Sequence, residues 1–154
     1  MTPRIDYRQL VPEGLKALLT LDSYVRHSGI APSLIDLINI RASQINGCAY
    51  CIYLHSHEAR GRGESEERMY LLNAWRESPL FSECERAALA WTEAVTLVSE
   101  THVPDEVFAE VRRHFSEKEI VNLTIAAANI NALNRLAISM RAIHPTKSLS
   151  VDAE

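Results

Sequence analysis

The sequence predicts a single all-α domain of about seven helices. Three observations carry that reading. Apolar residues recur at helical spacing along most of the 154 residues. Capping and breaking residues punctuate that pattern at intervals suited to helices. No stretch shows sustained period-two alternation between hairpin turns, so no sheet is expected. The length suffices for one domain with its own core.

The first helix is marked by Leu15, Leu18, Leu19 and the Tyr24–Val25 pair, with Pro12 near its start and Gly29 past its end. Pro32-Ser33 opens a second, carrying Leu34, Leu37, Ile38 and Ala42 and stopping near Asn46-Gly47. The third opens at Cys48 and runs to Gly61-Arg62-Gly63, a strong stop signal. Ser65 caps a fourth, with Met69, Leu71, Leu72 and Trp75 as its apolar positions, and Ser78-Pro79 breaks it. A fifth starts near Ser82 and points Ala87, Ala88, Leu89, Trp91, Ala94, Val95 and Val98 inward. Val103-Pro104-Asp105 starts a sixth, with Val107, Phe108 and Val111 on one face. Ser116 and Glu119 form a capping-box pattern ahead of a long seventh helix, Ile120 to about Ile143, which His144-Pro145 ends. That helix mixes small residues with Asn129, Asn131 and Asn134; it reads as a central core helix whose polar side chains lie at the edge and need partners if buried. The domain is expected to span 1–145, with a disordered tail at 146–154.

Composition narrows the function. Hydrophobic residues make up 47% and charged residues 23%, the balance of a soluble globular protein. A net charge of −4 argues against nucleic acid as a partner, Arg60 and Arg62 notwithstanding. No segment approaches the roughly 20 apolar residues that cross a bilayer. The first residues lack the charged-then-apolar order of a signal peptide. The expectation is therefore a cytoplasmic protein without membrane contact, in a compartment where thiols stay reduced.

Against that background Cys48-Ala49-Tyr50-Cys51, followed by His55, is the most informative stretch. In a helix Cys51 lies roughly 60° around the axis from Cys48, and His55 roughly 20° from it. All three share one face. Such a pair closes a disulfide or binds a metal, and the imidazole moves protons. Cys48 sits near the helix start, where the partial positive charge favours a thiolate. His57 is roughly 180° from Cys48 and is read as a surface residue. Asp36, on the preceding helix, can orient His55 or take its proton if the two helices pack as a hairpin. Cys84, between Glu83 and Glu85, reads as an ordinary helical residue. The rival class is a zinc or purely structural module using Cys48, Cys51 and His55, with Asp36 or a partner chain as fourth ligand. Against zinc, the chain lacks the second separated ligand pair of most structural sites.

The run from Leu34 to Cys51, with Ser43-Gln44-Ile45-Asn46-Gly47-Cys48 at its end, resembles the core motif of the alkylhydroperoxidase D-like (AhpD-like) proteins of the carboxymuconolactone decarboxylase superfamily. The likeness continues through His55-Ser56-His57-Glu58-Ala59-Arg60 and on to Trp91-Thr92-Glu93-Ala94. It implies an all-α fold in trimers or hexamers, and a thiol peroxidase or disulfide reductase in antioxidant defence. The substrate would be a hydroperoxide, the reductant a dithiol or thioredoxin-like donor, and no cofactor is implied. By position Cys48 and Cys51 are the redox pair and His55 the proton-relay histidine. Cys51 is the thiol attacked by peroxide, and Cys48 resolves. Asp36 stands where the family usually has glutamate, one methylene shorter, and Tyr50 where one branch has a second histidine. The superfamily's lactone decarboxylation does not depend on a C-x-x-C and is the less favoured enzyme alternative.

Overall fold

A computed structural model describes residues 2–145. Among them every regular element is helical: α1 (Tyr7–Leu10), α2 (Pro12–Arg26), α3 (Pro32–Asn46), α4 (Ala49–Gly61), α5 (Glu66–Leu71), a 3₁₀ turn (Leu72–Ala74), α6 (Glu83–Thr96), α7 (Val98–Thr101), α8 (Asp105–Val111) and α9 (Glu117–Met140). The tail expected at 146–154 lies outside the described residues.

Helix α3 is the centre. Its Ile35, Leu37, Ile38, Ile40 and Ala42 are buried all round the axis, as befits a helix with no solvent face. On one side Ile35 and Ile38 pack with Ala88, Trp91, Leu123 and Ala126. On another, Leu37 and Ile40 meet Ala59, Met69, Leu72, Trp75, Phe81 and Leu89. A third cluster, Ala42, Cys48, Cys51, Ile130 and Ala137, ties the start of α4 to α9. Burial thus exceeds the one-sided stripe expected for α3, and it takes in Asp36, Asn39 and Ser43 as well.

Four details differ from the sequence expectation. A four-residue helix, α1, precedes the first expected one; Asp6 caps it by accepting from the Arg8 N–H. The fourth helix is shorter, passing into a 3₁₀ turn after Leu71. Met69, Leu72 and Trp75 are spaced by three, and tightening to three residues per turn puts all three into the core. The fifth helix stops at Thr96, and Val98, expected inside, is 53% exposed at the start of α7. There Thr101 Oγ donates to the carbonyl of Ala94 at 2.8 Å and takes over one of the carbonyls freed by the break. The long helix ends at Met140, with Arg141 left-handed at φ 54°, rather than near Ile143. Both expected caps are present: Ser65 accepts from the Arg68 N–H, and Ser116–Glu119 forms a complete capping box; Ser82–Glu85 forms a second.

Candidate active site

The site is built at the joint between α3 and α4. Gly47 ends α3 in the left-handed region at φ 68°, where a side chain would be strained. Its N–H donates to Gln44, and that of Cys48 to Ser43. The chain turns back at once, and Cys48 becomes the N-cap of α4.

Cys48 Sγ accepts the Cys51 backbone N–H at 3.4 Å and lies 2.6 Å from Cys51 Sγ. Both cysteines are free and both are buried. The Cys51 thiol donates to Cys48, backbone N–H groups of Cys51 and Tyr50 add to it, and Asn134 contributes; against burial, these lower Cys48 to about 7. The same hydrogen bond, burial and the neighbouring charge push Cys51 up. The resting pair is therefore a Cys48 thiolate held by a Cys51 thiol, which agrees with the expected effect of the helix start.

The two cysteines border different spaces. Cys51 borders a cavity of about 190 Å³ lined mainly by Leu15, Leu19, Leu54 and Leu133, with His55 and the oppositely charged Arg8 and Asp22 also on its wall. Cys48 opens on one of about 480 Å³, bounded by Arg4, Gly47, Ser139 and Arg141. Tyr50 borders both and carries the Arg8 guanidinium 4.9 Å above its ring.

His55 is buried, and its Nδ1 lies 3.2 Å from Glu58 Oε2. The His55 hydrogen bond, followed by the charges of His55, Arg26 and Arg62, holds the Glu58 carboxyl at about 2 despite partial burial. Glu58 is thus ionised throughout the working range and accepts the Nδ1 proton. That fixes the tautomer and leaves Nε2 as the nitrogen able to exchange a proton.

Asp36 is not brought to His55. α3 and α4 do pack as a hairpin, but Asp36 lies near the start of α3, just past its first turn, opposite the end of α4. There it takes both arms of Arg62, at 2.7 Å from Nε and 2.5 Å from the second nitrogen, with Arg26 at 3.5 Å. Seven residues, about 10 Å of helix, separate Arg62 from His55. The two arginines close the gap, since both also contact Glu58, at 3.2 and 3.5 Å. The carboxylate on His55 is therefore Glu58, and Asp36 sits behind it.

Sequence reading passed over two residues. Glu58 could have been found, being three places after His55 and thus on the same face of the helix. Asn134 had no local signal. It lies fully buried on α9, 91 residues from its partner Ser43, and accepts from Asn46 at 2.8 Å. The asparagines expected at the edge of the long helix are inside it. His57 is exposed, as expected, with its Nδ1 2.9 Å from the carbonyl of Tyr53. Cys84 is raised by burial and by Glu85 and Glu119. Among the described residues no three His, Cys, Asp or Glu side chains are grouped to hold a metal ion.

Fold and site together define an AhpD-like protein, an all-helical domain with a buried dithiol beside a histidine. The profile of the carboxymuconolactone decarboxylase family matches residues 12–94, and the chain belongs to that family. It is 41% identical over 140 residues to the uncharacterised protein YdfG of Bacillus subtilis, covering 91% of this chain and 95% of that one. A crystal structure from Agrobacterium tumefaciens, a protein of unknown function suggested to be the antioxidant defence protein AhpD, superposes with a TM-score of 0.92 at 46% identity, over 95% of this chain and 100% of the other. The debrominase Bmp8 superposes at 0.76 with 25% identity, over 88% of this chain and 73% of its own. The same fold thus occurs in an uncharacterised peroxidase-related protein of Silicibacter and in a debrominase. Among the described residues no helix is long and apolar enough to cross a membrane.

Proposed function

We propose that this protein reduces organic hydroperoxides by cycling through a Cys48–Cys51 disulfide, as a cytoplasmic antioxidant enzyme. One observation carries the reading: two sulfurs 2.6 Å apart, Cys48 acidified to about 7 and Cys51 held protonated, with Cys51 bordering a mainly apolar cavity beside His55. The cavity falls below the roughly 300–1,000 Å³ of most ligand sites. It suits a compact alkyl or aryl hydroperoxide.

Cys48 takes the proton of Cys51. The Cys51 thiolate attacks the terminal peroxide oxygen and the O–O bond breaks. His55 Nε2 accepts the proton now on Cys48 and passes it to the departing alkoxide, which leaves as an alcohol. Cys51 is now a sulfenic acid. The Cys48 thiolate so formed attacks the Cys51 sulfur and expels hydroxide, which takes a proton from solvent and leaves as water. In sum, one thiolate, one thiol, a hydroperoxide and a proton give a disulfide, an alcohol and water. A thiol donor then restores the pair by exchange; the resemblance points to a dithiol or a thioredoxin-like protein. In this scheme Glu58 positions His55, and Asp36 positions Glu58 through Arg26 and Arg62.

Assembly into trimers or hexamers is part of the proposal. Val121 and Ile138, exposed at 57% and 43% on α9, suit burial against further copies.

The test is intact-mass spectrometry of the reduced protein before and after stoichiometric cumene hydroperoxide. Loss of two hydrogens in the wild type, with Cys51→Ser unreacted, supports the cycle and names Cys51 as the attacking thiol. An unchanged wild-type mass refutes it. A Cys51→Ser protein that gains one oxygen moves the attack to Cys48.

A further inference from the structure

The cavity at Cys48 differs in kind from the one at Cys51. It is more than twice as large, and no acidic side chain lines it. Arg4 and Arg141 stand on its wall, on two separate segments of chain. Arg4 is tied in place by its backbone N–H to the carbonyl of Met140, at 3.0 Å, and by its guanidinium to that of Ser139, at 3.1 Å. A guanidinium with only a carbonyl partner keeps further donors free. Arg141 is presented by its left-handed turn at the end of α9. The start of α4, a 13-residue helix, faces the same space through Cys48, Ala49 and Tyr50 and adds partial positive charge. The volume of about 480 Å³ falls within the range of small-molecule sites, about 300–1,000 Å³. Of the two cysteines, Cys48 lines this cavity and Cys51 does not.

We infer that the reductant enters here, and that it is a low-molecular-weight thiol bearing carboxylates, of the chemical class of glutathione, recognised by Arg4 and Arg141. This rests on the proposed disulfide cycle and adds to it a second entrance. Peroxide reaches Cys51 from the apolar side, and the electron donor reaches Cys48 from the cationic side. A recessed sulfur in a cavity of this size suits a small thiol better than the protein donor that the resemblance suggests.

The exchange balances as follows. A glutathione thiolate attacks Cys48 Sγ, the Cys48–Cys51 bond breaks, and Cys51 leaves as a thiolate that takes a proton from solvent, relayed through His55 Nε2. Cys48 no longer carries a charge in this mixed disulfide, so its hydrogen bond and its charge no longer raise Cys51, and burial alone still does. A second glutathione thiolate attacks the glutathionyl sulfur. Glutathione disulfide departs, and Cys48 is released as the stabilised thiolate, a good leaving group. Two electrons pass to the protein, and the resting pair is restored.

The test starts from protein oxidised with diamide, so that it does not depend on any hydroperoxide. The rate of disulfide reduction is followed by mass spectrometry with glutathione and with glutathione monoethyl ester, which has the same thiol and one carboxylate fewer. Glutathione should react at least about tenfold faster at low salt, with the advantage shrinking as ionic strength rises. Arg4→Gln/Arg141→Gln should erase the preference, and Arg4→Lys/Arg141→Lys should restore most of it. Incubation of Cys51→Ser with glutathione disulfide should load one glutathionyl group, and Cys48→Ser should load none. Equal rates for the two thiols, or a preference that survives in the double glutamine variant, overturns the assignment while leaving the disulfide cycle intact. Failure of diamide to form the disulfide, with dithiothreitol-reduced protein as reference, overturns the cycle itself and this inference with it.

Discussion

Removing the Cys51 thiol should cost Cys48 its acidity. The fall from the ordinary thiol value of 9.0 to about 7 amounts to about 3 kcal/mol in favour of the thiolate, at about 1.4 kcal/mol for each tenfold change. The Cys51 thiol is the largest single contributor, ahead of the N–H groups of Cys51 and Tyr50 and the Asn134 amide. Cys51→Ala deletes that donor and keeps the backbone donors, so at least about one tenfold step should be lost. At pH 7 the thiolate fraction then falls from about half to below about one tenth. The assay is the rate of iodoacetamide alkylation against pH, read by mass at Cys48, with thiolate absorbance as a second probe. Cys51→Ser, which restores a hydroxyl donor, should fall between the two. A midpoint that stays at about 7 in Cys51→Ala would show that the helix start alone makes the thiolate, and that the 2.6 Å sulfur contact has no energetic part in it.

Other outcomes follow from the same geometry. Glu58→Gln should lower peroxide turnover about tenfold at pH 7 with little change in KM, because it frees the His55 ring without touching the apolar cavity. Steady-state kinetics against pH is the check, and the wild type should show no inflection near the ordinary carboxylate value, since Glu58 is held at about 2. The stability that this depression contributes is complete above about pH 4.5 and disappears as pH falls through about 2. Asp36→Asn should destabilise the fold by about 2–3 kcal/mol in urea, toward the low end for a broken buried pair because Arg62 is partly solvated. A loss below about 0.5 kcal/mol would contradict its place behind Glu58. Asn134→Ala removes the donor that Ser43 Oγ accepts from, leaving its bond to the Asn39 carbonyl, and strands one amide hydrogen of Asn46. It should cost about 1–3 kcal/mol and raise the Cys48 midpoint, both measurable on one preparation.

Most of the scaffold was legible in the sequence because it is written in local signals. Pro12 and Pro32 start α2 and α3 at the first helical position, Gly47 ends α3, and Ser82 and Ser116 close capping boxes three residues away. Such contacts depend on near neighbours alone, so a one-dimensional pattern captures them. The misplaced boundaries are those where packing overrode spacing. The turn at Leu72–Ala74 exists to deliver Trp75 to the core, and Val98 is turned outward by a break that no proline or glycine announces.

The site divides along the same line. The sequence by itself determined that Cys48, Cys51 and His55 share a face of one helix, because three- and four-residue steps on a 3.6-residue turn leave no other choice. It also pointed to Cys48 as the more acidic thiol, because the helix start is local, although the hydrogen bond from the Cys51 thiol contributes more. Only the tertiary structure decided which carboxylate holds His55. Asp36 was near enough in sequence to be considered, but the antiparallel hairpin set it beside Arg62, and Glu58 took the place. Only the tertiary structure brought Asn134 from α9 to the sulfurs, and Arg4 and Arg141 to the mouth at Cys48. Those residues lie about 40 to 90 positions from the thiols in the chain. Their approach is set by how α1, α4 and α9 dock, which depends on the summed burial of many apolar contacts rather than on any motif.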